Sequence, residues 1–234
     1  MSTAAATFDH GSRAKLTRRD LGRFAGETLF DRIARVVCDV EMLPRKELYE
    51  SWELARRVRR RFRGGRVVDM ACGHGLVAHL MLLLDDSSPT ALAVDARIPD
   101  SAPLVQQAMA RQWPRLAGRV ELVPGPIEDV VLAPTDVVVS AHACGALTDV
   151  VLDRAVRAAS RVAVLPCCHD VETCDTGGLS GWLDVSLAID VTRAAWLRAR
   201  GYDVHTQHVP EAITPKNRLL FGSPARPARA PDGG

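Results

Sequence analysis

The sequence predicts an α/β fold, a doubly wound parallel sheet closed by a C-terminal antiparallel hairpin and preceded by helices. Three observations carry that prediction. From Arg66 onward, short apolar strands alternate with helical stripes, the order that builds parallel sheets covered on both faces. A glycine-rich turn, Cys72-Gly73-His74-Gly75, joins the first strand to the helix after it. The last two strands lie too close in sequence for a crossover helix, so they must pair antiparallel.

The elements follow in order. Leu29, Ile33, Val36, Val37 and Val40 repeat at helical spacing until Pro44 breaks the run. Leu48, Trp52, Ala55, Val58 and Phe62 make a second stripe, ended by Gly64-Gly65. Strands are expected at Arg66–Met70, Ala91–Val94, Val120–Val123, Asp136–Ser140 and Arg161–Leu165, and helices at Leu76–Leu84, Ala102–Trp113, Asp149–Ala159 and Leu187–Arg200. Asp203–Val209 and Arg218–Phe221 form the hairpin, around a turn carrying Pro210 and Pro215. Residues 1–17 and the Pro-, Ala- and Gly-rich 223–234 read as disordered. Between them, 18–63 reads as a helical extension and 64–222 as the sheet domain.

Composition narrows the class. Apolar residues make up 47% of the 234 and charged ones 25%, enough for a sizeable core. No apolar run reaches the roughly 18 residues a membrane span needs, and Met1–Phe8 lacks the basic-then-apolar order of a signal peptide. A cytoplasmic address with reduced thiols is therefore expected for the six cysteines. Residues 1–66 hold 16 Lys/Arg against 9 Asp/Glu, leaving a net −5 for the rest. The excess centres on Arg56, Arg57, Arg59, Arg60, Arg61, Arg63 and Arg66. Two readings stay open: a phosphate-binding patch for an RNA partner, or a solvated helix end whose cations favour the C-terminal dipole.

The turn after the first strand reads Val67-Val68-Asp69-Met70-Ala71-Cys72-Gly73-His74-Gly75. Glycines there let backbone N–H groups approach a ligand, and Asp95, 22 residues past Gly73, ends the next strand where a carboxylate can accept ribose hydroxyls. Taken alone, Gly73-x-Gly75-x-x-Ala78 also fits a dinucleotide fingerprint. Asp69 argues against that ligand, because a carboxylate at the strand end repels a pyrophosphate and suits a cationic group.

At these residues the chain resembles a known family. Asp69-x-Ala71-Cys72-Gly73-His74-Gly75 is similar to motif I of the class I S-adenosylmethionine-dependent methyltransferases, and Asp95 matches their ribose-binding acid. Val139-Ser140-Ala141-His142-Ala143-Cys144-Gly145-Ala146-Leu147-Thr148-Asp149, with Pro166-Cys167-Cys168-His169, resembles a methyltransferase-domain family that includes the tRNA acceptor-stem 2′-O-methyltransferase. The resemblance spans roughly Lys46 to Gly222. It implies a Rossmann-like class I methyltransferase sheet, S-adenosylmethionine as cofactor, and a cofactor site of Asp69, Ala71, Gly73, Gly75, Asp95, Glu128 and Ser140. Two features depart from the pattern. Pro126 stands where an acidic residue often reads the adenine amino group, which leaves that contact to backbone or to Glu128. The zinc-finger cysteines of the tRNA enzyme are also missing.

Ligands of open α/β sheets sit outside the carboxyl ends of the strands. The loops after the fourth and fifth strands therefore bring His142, Cys144, Cys167, Cys168 and His169 toward the reacting methyl. Three roles are open: a histidine as general base or orienter, zinc ligation by thiols and imidazoles, or Cys167 as a nucleophile. No metal is assigned at this point. Asp170–Ser186 reads as a lid or a flexible crossover, and Lys216 and Arg218 as candidates for an anionic acceptor. The acceptor is expected to be RNA ahead of a small molecule. The alternatives kept are a nicotinamide-dependent oxidoreductase and a non-catalytic cofactor-binding module.

Overall fold

The computed structural model describes residues 8–225. Two helices, α1 (Leu29–Val40) and α2 (Arg45–Arg61), precede β1 (Val67–Met70) and α3 (Leu76–Leu83). The chain continues through β2 (Ala91–Asp95), α4 (Ala102–Gln112), β3 (Val120–Pro124), β4 (Val137–Ser140) and α5 (Leu147–Arg157). It ends with β5 (Arg161–Val164), α6 (Val185–Ala199), β6 (Tyr202–His208) and β7 (Arg218–Pro224). The seven strands lie in the order β3-β2-β1-β4-β5-β7-β6. The first five are parallel, and β7 runs antiparallel to both β5 and β6. This is the predicted sheet, hairpin included.

Alternation along the strands sorts the core into two layers. Val67, Ala91, Ala93, Val137, Val139 and Ala163 face a cluster built with α1 to α4. Val68, Met70, Val94, Val138, Val162 and Val164 face the opposite layer, where α5 supplies Val151, Leu152 and Ala155 and α6 supplies Leu197. Because β1, β4 and β5 are covered on both faces, they read as near-continuous Val-rich runs. The helical extension shares the first cluster through Ile33, Val37, Leu48, Leu54, Ala55 and Val58.

The segments expected to be disordered, 1–17 and 223–234, are packed where the structure describes them. Residues 1–7 and 226–234 lie outside the described residues, but 8–17 are packed. Leu16 is fully buried, its N–H donates to Leu43 O at 3.0 Å, and Lys15 bridges to Pro44. A 3-10 turn, Arg18–Phe24, follows. Phe8 stacks edge-on against Phe24, with the Arg45 guanidinium 3.6 Å from its ring centroid. Low mean hydropathy hid these few apolar anchors. At the other end β7 reaches Pro224, and its register against Tyr202 orders residues 223 and 224. No helix among the described residues is long and apolar enough to cross a membrane.

Candidate active site

β1 and β4 are neighbours while their connections leave in opposite directions, so the crevice of this sheet opens above their carboxyl ends. On the β1 side stands the glycine turn. Gly73 adopts φ +52°, and a Cβ built there meets no atom within 4 Å. Its N–H donates to Asp95 Oδ2 at 2.9 Å, while Oδ1 of the same carboxylate accepts from Arg97 N at 3.1 Å. Gly75 has φ +70°, and a Cβ there would lie 3.0 Å from Leu122 Cδ2 and 3.4 Å from Ala93 Cβ. One glycine thus leaves room for a ligand, and the other lets α3 approach the sheet.

Ala71 carries φ +56°, a left-handed backbone that costs an L-residue roughly 1 kcal/mol. Strain of this kind collects where a loop must present its backbone. His74 then clamps the turn: Nδ1 lies 3.3 Å from Glu47 Oε1 at the start of α2, and Nε2 lies 3.0 Å from Ser101 Oγ at the start of α4. The sequence reading missed this clamp, because Glu47 and Ser101 each lie 27 residues away with no local spacing to flag them.

Asp69 is placed beneath the turn rather than on its surface. It is 1% exposed and accepts from Ala78 N at 3.2 Å. Burial pushes its carboxyl up to about 8, the Ala78 hydrogen bond opposing, with the nearby Asp95 and Glu47 charges adding to the rise. A buried acid without a cationic partner suits a ligand that brings positive charge. Ser140 is likewise buried; its Oγ accepts from Ala143 N at 3.2 Å and shapes the next loop. Glu128 is exposed on the 3-10 turn after β3, where Gly125 N donates to Asp95 O at 2.9 Å.

On the β4 and β5 side the structure brings three of the five predicted residues together. Cys144 Sγ lies 3.2 Å from Cys167 Sγ, which lies 3.7 Å from Cys168 Sγ. Gly145 N donates to Cys168 O at 3.3 Å, joining the two loops. Burial, then the neighbouring thiols, raise the Cys167 pKa, and burial raises that of Cys144. Neutral thiols of this kind are poor nucleophiles. His142 is half-buried on the same loop, and no hydrogen bond or ion pair engages its ring among the described residues.

His169 separates from the group. Its side chain is 2% exposed and its Nε2 lies 2.8 Å from Asp190 Oδ1 on α6. Burial opposes ionisation of Asp190, but hydrogen bonds from His169 and Arg218 outweigh it and hold the carboxyl below its usual range. Arg218 is spent in the same network, donating to Asp190 Oδ2 at 2.6 Å and Ser186 Oγ at 2.7 Å. It is therefore not free for an anionic acceptor.

The family-like Thr148-Asp149 pair acquires a structural meaning. Thr148 Oγ1 donates to Ala143 O at 2.6 Å, and Asp149 takes the guanidinium of Arg193, whose Nη2 also donates to Gly145 O at 2.9 Å. Loop 209–217, between the hairpin strands, stands at the same end of the sheet. Gly11 packs so closely there that a Cβ would lie 2.9 Å from Ile213 O. Segment 8–17 thus packs against that loop, which its sequence did not announce.

The arginine stretch is mostly committed. Arg56 and Arg57 pair with Glu53 at 2.8 and 2.9 Å. Arg59 is buried against Asp85 at 3.1 Å, and Arg66 pairs with Asp136 at 2.7 Å. Arg60, Arg61 and Arg63 are exposed, but they precede β1 at its amino end, whereas the glycine turn follows its carboxyl end.

The cofactor that the motif implies fits these residues. Gly73 offers open space where a side chain would stand, Asp95 ends β2 beside it, and the buried Asp69 has no cationic partner among the described residues. No curated protein sequence matches the chain. Among solved structures it is similar to an O-methyltransferase family protein from Burkholderia thailandensis (19% identity, TM-score 0.52, 88% of this chain and 63% of that one). It is also similar to the S-adenosylmethionine-dependent methyltransferase SibL in its apo form (22%, TM-score 0.53, 91% and 66%). A third is precorrin-6y C5,15-methyltransferase from Geobacter metallireducens GS-15 (14%, TM-score 0.50, 74% and 88%). The chain spans less than two thirds of the first two structures. At these identities the likeness shows the fold. The family described as Methyltransferase domain matches residues 46–174, more than half of the sequence. The chain belongs to that methyltransferase-domain family, and its sheet has the fold of these methyltransferases.

Proposed function

We propose that the chain transfers the cofactor's methyl group to a small-molecule acceptor held between the loops after β4 and β5. One observation carries this reading: the open face of Gly73 and the His142/Cys144/Cys167 loops converge on one edge of the sheet, at its β1/β4 switch point. Asp95 would accept the ribose hydroxyls, the Gly73–Gly75 turn would receive the amino acid part, and Asp69, losing its proton on binding, would balance the ammonium. Glu128, exposed on the turn after β3, is the candidate for the adenine. S-adenosylmethionine supplies an electrophilic methyl on a sulfonium, a reaction that mainly requires in-line alignment of the nucleophile. His142 takes the proton that the acceptor loses, its ring being the uncommitted imidazole on these loops. His169 acts at one remove, holding its loop through Asp190.

A small acceptor is preferred to RNA because the cations that suggested phosphate binding are paired, buried or at the far end of the sheet. The test is methyl transfer from labelled S-adenosylmethionine to fractionated metabolites and to total RNA, with wild type, Asp95→Ala and His142→Asn. Labelled small molecules that depend on Asp95, with His142→Asn losing at least about tenfold in turnover, are expected. Label confined to RNA would reverse the choice of acceptor. Cofactor binding without transfer to either pool would favour a non-catalytic module.

A further inference from the structure

We propose that Cys144, Cys167 and Cys168 form a zinc site with three thiolate ligands and one open position. The three Sγ atoms all lie within 4.8 Å of one another, with separations of 3.2 Å for Cys144–Cys167 and 3.7 Å for Cys167–Cys168. Thiolates bound to one tetrahedral zinc at ~2.3 Å stand about 3.8 Å apart. Both separations fall short of that value, by about 0.6 and 0.1 Å, so an ion can enter once the Cys144–Cys167 pair spreads by about half an ångström.

The cluster is built rather than incidental. It draws on two loops from neighbouring parallel strands, and Gly145 N donating to Cys168 O ties them together. Arg193, 3% exposed, fixes the first loop through Gly145 O and Asp149, and Thr148 fixes it again through Ala143 O. Gly145 itself has φ +56°, which lets the chain turn sharply directly after Cys144. Cys174 stays outside the group: it is buried, with Arg193 Nη2 3.5 Å from its sulfur.

Ligand chemistry selects the ion. Three sulfurs suit zinc and exclude magnesium or calcium, which require oxygen ligands. Cys144 and Cys168 are exposed, so the fourth position faces solvent. Three protein ligands with one position open is the arrangement of reactive zinc sites rather than of closed structural ones. Zinc binding here does not depend on methyl transfer, and its test reads neither cofactor nor acceptor.

The full chain, reduced and stripped with a chelator under nitrogen, is titrated with Zn2+ against a chromophoric chelator and separately with Co2+. One equivalent of zinc and a sulfur-to-cobalt charge-transfer band are expected. Cys144→Ser, Cys167→Ser and Cys168→Ser should each weaken zinc about 100-fold, in proportion to a lost ligand. Cys38→Ala, a core thiol remote from the cluster, should bind like wild type. Circular dichroism and melting of each variant separate loss of ligand from loss of fold. Absence of the charge-transfer band in fully reduced wild type would overturn the site. So would unchanged zinc affinity in the Cys144→Ser/Cys167→Ser/Cys168→Ser triple variant. A Cys144–Cys167 disulfide that forms in air, with no zinc taken up by the reduced chain, would assign the pair to redox chemistry instead.

Discussion

Arg193 of α6 grips Asp149 of α5 with both arms of its guanidinium, Nε to Oδ1 at 2.7 Å and Nη2 to Oδ2 at 3.0 Å. The same Nη2 reaches Gly145 O, so a side chain on one helix sets the path of the loop that carries His142 and Cys144. The positions of His142 and Cys144 thus depend on a side chain from another helix.

Replacing Arg193 with Met should cost about 2 kcal/mol of stability, since it removes charge-assisted bonds and leaves Gly145 O short of a donor. The figure stays below the loss for a fully buried pair because Asp149 is 44% exposed and regains water. Arg193→Lys keeps the charge but not the fork, and should recover less than half. Urea unfolding reads both changes, and an unchanged midpoint in Arg193→Met would remove the bracing role.

Asp69 should give the apoprotein an unusual pH dependence. Its folded pKa is raised to about 8 by burial, whereas an unfolded aspartate titrates near 3.9. Between those values the folded chain holds a proton that the unfolded chain has lost, so this contribution favours folding at low pH and declines as pH rises to about 8. Thermal melts of Asp69→Asn should lack that component. Cofactor binding below pH 8 should expel the Asp69 proton, seen as a dependence of calorimetric heat on buffer ionisation enthalpy. The same heat in all buffers would show that Asp69 does not meet the cofactor's charge.

The three left-handed positions of the turn separate by what surrounds them. Ala71→Gly relieves the φ +56° strain and should stabilise the apoprotein by up to ~1 kcal/mol. Gly75→Ala adds strain and crowds Leu122 and Ala93, so it should destabilise. Gly73→Ala carries the same left-handed strain but meets no protein atom, so it should destabilise less than Gly75→Ala and add a separate loss of cofactor affinity. Melting temperatures with and without S-adenosylmethionine distinguish the three. Equal effects on melting and on binding in all of them would contradict the division.

Much of this was legible in the sequence. The Val-rich strands, the glycine turn and the short link to the last strand each impose their geometry locally, and the sheet followed. Cys144, Cys167 and Cys168 could be placed together because strand ends in a parallel sheet share one edge. His169 could not be separated from them, since its partner Asp190 lies 21 residues away on a helix whose facing was unknown. The pairing of the arginines was hidden for a related reason. Charge counts register Arg56, Arg57, Arg59 and Arg66 but not Glu53, Asp85 and Asp136 folded against them. The packed segment 8–17 hid behind a polar composition, its order resting on Leu16 and Phe8.

Calorimetric titration of the chain with S-adenosylmethionine, S-adenosylhomocysteine and NAD, repeated on Asp95→Ala, tests the cofactor site most directly. Binding of both adenosyl ligands, lost or weakened at least about tenfold in Asp95→Ala, with no binding of NAD, is the expected result. Undiminished S-adenosylmethionine affinity in Asp95→Ala, or binding of NAD alone, would contradict the site described above.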